Sequence, residues 1–241
     1  MAKQNVGIRQ MANNILDEGN MSYLILTIIS IFMSFFMCFF LQYIIKNEDK
    51  SKWTKCILPK TTELKIWFCI FVCMLVVGMN FVELMYNNSL IQNISISVSL
   101  SILGVSAYTD FKEHIISNKL ILFGIVAWII FTIIQLLIDF QNNYVSVLKN
   151  MAFALAVFVI GLLLVIVTKG SLGMGDVKLL CIMNLLLYPF GFVMSLLVSL
   201  LVSFIYCVVV LISRKKTRKD IIPFAPSLLV GFYLTAILFG C

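Results

Sequence analysis

Apolar stretches of membrane-crossing length recur along this chain, and no other feature limits its fold so tightly. They run over about 23–45, 66–86, 90–108, 119–138, 151–167, 191–212 and 224–240. As helices, each covers most or all of a hydrocarbon core of ~30 Å. A shorter run, Val177 to Tyr188, lies between Asp176 and Pro189. With 61% hydrophobic and only 12% charged residues, the chain has more apolar surface than a water-soluble domain can bury. Spanning segments must satisfy their backbone groups internally. The expectation is therefore an all-α, polytopic membrane helix bundle of about eight transmembrane helices. Residues 1–22 form a short polar N-terminal segment, and 23–241 form one membrane-embedded domain. The first apolar run is too long for the core of a cleaved signal peptide, so it is expected to be retained as a span.

The formal net charge of +7 would suit nucleic acid if it were spread over a surface, but it is concentrated beside the apolar runs. Counting eight crossings with the N-terminus outside, the loops at 46–65, 109–119, 168–178 and 213–223 carry fifteen Lys and Arg, against Lys3, Arg9 and Lys149 on the other side. That asymmetry is the positive-inside pattern. It holds only if 177–188 counts as a crossing, with a turn at 189–190. Basic residues beside spans read as anchors to anionic lipid. Membrane lipid is the expected partner, and nucleic acid is not. The seven cysteines include no C-x-x-C pair, so neither a zinc site nor a disulfide framework is indicated, and no cofactor is expected.

Two carboxylates then stand out. Asp110 ends one apolar run and Asp176 begins another, on the same expected side of the membrane. Each has a purely structural reading. Asp110 and Glu113 have the spacing of a capping box, and Asp176 after Gly173-Met174-Gly175 suits a helix cap at Val177. Together they also suit chemistry. One ionised carboxyl can activate water while a neutral partner polarises an amide carbonyl, and glycines admit close backbone approach. His114, four residues past Asp110, is expected to be a solvated loop residue. Glu83 is expected to lie at the outer interface, and Lys178 to extend toward headgroups. Ser101 and Ser106 read as hydroxyls bonding helix carbonyls rather than as nucleophiles.

Three blocks carry a resemblance to a known family: Asp110-Phe111-Lys112-Glu113-His114-Ile115-Ile116-Ser117-Asn118, Gly173-Met174-Gly175-Asp176-Val177-Lys178-Leu179 and Ile222-Pro223-Phe224-Ala225-Pro226. In their order and placement the chain resembles the type IV prepilin peptidases, membrane aspartic proteases of the GxGD class. The resemblance implies Asp110 and Asp176 as the catalytic pair. It also implies Gly173 and Gly175 as residues that shape the substrate's approach, with Pro223, Phe224 and Pro226 lining or bracing the site. It implies cleavage of the basic leader from prepilin or pseudopilin substrates at the cytoplasmic face of a bacterial inner membrane, serving a type IV pilus or a secretion machine. Two positions depart from the family pattern: Ser117 replaces a proline and Ala225 a glycine. The linker between the first two runs has Cys56 as its lone cysteine, where many members carry two C-x-x-C pairs in a methylating module, so methyl transfer is not expected. The carboxylates leave other classes open: an ion- or proton-coupled transporter, or a non-catalytic scaffold of a pilus or secretion machine.

Overall fold

The computed structural model describes residues 21–41, 62–86, 88–168, 173–212 and 223–240. Seven helices form among them: α1 (Met21–Leu41), α2 (Thr62–Tyr86), α3 (Leu90–Glu113), α4 (Asn118–Ile138), α5 (Phe140–Val167), α6 (Met174–Ile212) and α7 (Ala225–Phe239). Six are long and apolar enough to cross a membrane, and α7 is a shorter apolar helix. The chain is a multi-pass helical membrane protein, as its apolar pattern led us to expect.

α3 is the central element. It is the least hydropathic of the six long helices but by far the most enclosed, with 78% of its span window buried, and it packs against α2, α4, α6 and α7. Its sequence explains this. Ser95, Ser97, Ser99, Ser101 and Ser106 are small, and Ser99, Ser101 and Ser106 return their hydroxyls to their own helix carbonyls. Small residues let neighbouring helices approach where lipid offers no hydrophobic drive to associate. At Gly104 the Phe71 ring of α2 occupies the space a side chain would need. α4 and α5, only 17% buried, turn Ile, Leu and Val outward as lipid-facing helices do.

α6 decides the topology. Its 39 residues would reach ~58 Å if straight, but Tyr188 breaks it with φ 63° and ψ 162°. Asp176 lies near Asp110, and Ala225 bonds Asp110 directly. Ser199, 23 residues beyond Asp176, packs on Gly231 in the middle of α7, only about 9 Å along that helix from Ala225. A straight α6 would put Ser199 ~34 Å away. The chain therefore doubles back at Tyr188, as counting 177–188 as a separate segment requires.

The break frees carbonyls, and neighbours take them up. Leu185 would ordinarily bond the N–H of residue 189, which is Pro189 and has none. Instead Asn150 Nδ2 donates to Leu185 O at 2.9 Å, and Ser95 Oγ donates to Leu186 O at 2.7 Å. Tyr188 OH bonds Gln135 of α4. Asn150→Leu should lower unfolding free energy in detergent by about 0.5–2 kcal/mol. Thermal denaturation checks this, and an unchanged midpoint would mean the Leu185 carbonyl is satisfied elsewhere.

Two expectations need correction. The expected loop at 139–150 is helical from Phe140, and Asn143 Nδ2 donates to Gln135 O, closing the end of α4. Its polar residues serve the helix junction. Glu83 does not extend outward from the end of α2: it is 6% exposed and accepts from Asn93 Nδ2 of α3, itself fully enclosed. A buried carboxyl needs a partner, and Asn93 supplies it. Residues 42–65 and 213–222, which carry most of the expected inner charge, fall largely outside the described residues.

Candidate active site

Asp110 stands in the last turn of α3, 8% exposed. The capping-box reading fails because α3 runs on through Glu113, so no helix begins at Asp110. Its carboxylate caps a different helix. The N–H of Ala225 donates to Asp110 Oδ2 at 2.9 Å. Ala225 is the first residue of α7, Phe224 before it offers no side-chain cap, and Pro226 after it has no N–H. The first backbone N–H groups of a helix lack partners within it, and the positive end of its dipole favours an anion. Asp110 thus joins the ends of α3 and α7.

Asp176 lies in the first turn of α6, partly exposed. Its carboxyl accepts the backbone N–H of Gly173, and it interacts electrostatically with Asp110. Its own N–H returns to Gly173 O at 3.1 Å. The capping reading of Asp176 is therefore correct in part, and capping brings it to Asp110 rather than away from it. Each carboxyl is held by a backbone amide.

The two glycines do not leave open space. A Cβ at Gly173 would stand 3.1 Å from Asp176 Oδ2, and one at Gly175 would stand 3.1 Å from Ile116 Cβ. The room at Gly175 is taken by the loop that follows Asp110. Pro223 is buried, Phe224 packs on the core and Pro226 is partly buried, so the third block braces the start of α7. His114 is exposed, in the left-handed region at φ 55°, and its N–H closes α3 on Asp110 O at 3.1 Å. It is the loop residue expected. Lys178 extends to Asn118 Oδ1 at 3.2 Å, a protein partner where headgroups were expected. Among the described residues no three His, Cys, Asp or Glu side chains gather as metal ligands would.

The substituted positions fit. Ser117 has φ −68°, the value proline would impose. Ala225 is fully buried within regular helix, so nothing there requires glycine. Sequence reasoning missed Ala225 as a contributor because its part is played by a backbone N–H, which no side-chain pattern reveals.

These features define a multi-pass membrane protein with two carboxyls brought together from separate helices at one end of the bundle. Residues 97–212 match the family model of the type IV leader peptidase family, a segment that contains both aspartates. The match covers just under half of the chain and is consistent with the family that the three blocks resemble. No curated protein and no solved structure matches the chain.

Proposed function

We propose that the chain is an aspartic endopeptidase that removes the basic leader from type IV prepilin-like proteins. The convergence of Asp110 and Asp176 at one end of the bundle carries this reading. One proton shared by the pair leaves a base that deprotonates water and an acid that protonates the scissile carbonyl oxygen. The proton taken from water then passes to the leaving amine. The amides of Ala225 and Gly173 hold the carboxyls in place, and preorganised geometry is what such a step needs. The excess of Lys and Arg in the loops at the aspartate end supports a cytoplasmic site, where a prepilin leader would lie. The substrate suits the chemistry: its basic leader meets two acids, and its hydrophobic helix stays among membrane helices. The short linker with Cys56 alone supports peptidase action without methyl transfer.

The test is co-expression with a panel of prepilin and pseudopilin substrates, with leader removal read by mass spectrometry. A new N-terminus just after the glycine that ends the leader is the expected result. Full-length substrates beside correctly inserted enzyme, together with ion flux in liposomes, would overturn it in favour of a transporter.

A further inference from the structure

The first turn of α6 presents its side chains in different directions, at about 100° per residue. Asp176 faces the end of α3. Val177 is buried against Gly161 of α5. Gly175 and Lys178 are three residues apart and share one side of the helix. That side meets the short connection between α3 and α4 at two points. Ile116 seats on Gly175, and the ammonium of Lys178 reaches Asn118 Oδ1, at the first residue of α4. Only four residues separate Glu113, which ends α3, from Asn118, which begins α4, so there is little slack between Asp110 and the two contacts. Lys178 has no role in the proposed chemistry, since its direction is roughly 160° from that of Asp176.

We infer that Lys178 and Asn118 are positioning residues that latch the α3–α4 connection onto α6 and thereby set the separation of Asp110 and Asp176. The Ile116–Gly175 contact gives this latch its depth, and the Lys178–Asn118 bond gives it its register along α6. α5 backs the helix from the far side through Val177, so movement on losing the latch would go toward or away from Asp110. The activity arm of the test rests on the peptidase reading; the structural arm does not.

The variants are Lys178→Ala, Asn118→Ala, their combination, and Lys178→Arg, which keeps a cationic donor. Leader cleavage by Lys178→Ala should fall about 10- to 100-fold in kcat, since a misplacement near 1 Å can cost ~10²-fold, with KM changed less than about twofold. Asn118→Ala should match it, the combination should be no worse than either single change, and Lys178→Arg should recover most of the rate. The second readout needs no proteolysis. Cysteines placed at 110 and 176, in a chain whose native cysteines are replaced, are joined by a short bifunctional thiol reagent in membranes. Joining should be at least about tenfold slower with Lys178→Ala. Cleavage by Lys178→Ala within twofold of the parent, or an unchanged joining rate, would overturn the latch. If the parent cuts no leader, the peptidase reading fails and the joining rate alone decides the latch.

Discussion

Asp110→Asn and Asp176→Asn should each reduce leader cleavage by about 10³-fold or more while the protein still inserts and folds. General acid–base groups contribute roughly 10²–10⁴-fold each, and here the two act as a unit, so losing one removes most of what both supply. Asparagine has nearly the shape of aspartate but can neither take a proton from water nor give one to a carbonyl. At 110 it also keeps an oxygen to accept from Ala225 N–H, so the start of α7 stays capped. Asp110→Ala would lose that acceptor as well, adding a destabilisation of about 1 kcal/mol that confuses chemistry with folding. Single-turnover cleavage in membranes, with thiol labelling of the loops to check insertion, separates the two. Turnover within tenfold of wild type by either Asn variant would remove that residue from the mechanism.

Gly231→Ala should be the most damaging of the small substitutions away from the acids. A Cβ there would run into the backbone N and Cα of Ser199 as well as its hydroxyl. Backbone cannot rotate aside, so the two helices must part. Overpacking of this kind costs about 1–3 kcal/mol or more, and the displaced helix carries Ala225 away from Asp110. Both thermal stability in detergent and cleavage should therefore fall. Gly78→Ala is the control, because the atoms nearest its Cβ would be the outer end of the Tyr233 ring, a side chain rather than backbone. Equal losses at the two positions would mean that the α6–α7 contact holds no special part in the site.

The bundle was legible from the apolar runs because a bilayer demands unbroken apolar helices. The doubling back of α6 was legible as well, through charge: only a crossing at 177–188 placed the Arg214–Lys219 cluster with the other basic loops. The pair of acids was legible through their matched positions at span borders. What escaped was whatever depends on a partner far along the chain. Glu83 looks like an interfacial carboxylate until Asn93 is seen opposite it. The polar stretch after Asp139 looks like a loop until Asn143 is seen closing α4. Gly175 looks like an opening for substrate until Ile116 is seen filling it. Backbone contributions, above all the Ala225 amide, carry no letter in the sequence.

The fold-back at Tyr188 also bears on the lipid around the protein. α7 has 15 residues and the first arm of α6 has about as many, so each reaches only ~22 Å. α2 and α5, with 25 and 28 residues, reach ~38–42 Å. Short and long helices are neighbours here, α5 packing on α6 and α2 on α7. A membrane of uniform thickness must therefore dimple or lean beside the short helices, at fractions of a kcal/mol per Å of mismatch. Since those short helices carry Asp176 and the Ala225 amide, acyl-chain length becomes a mechanical load on the helices that bear the site.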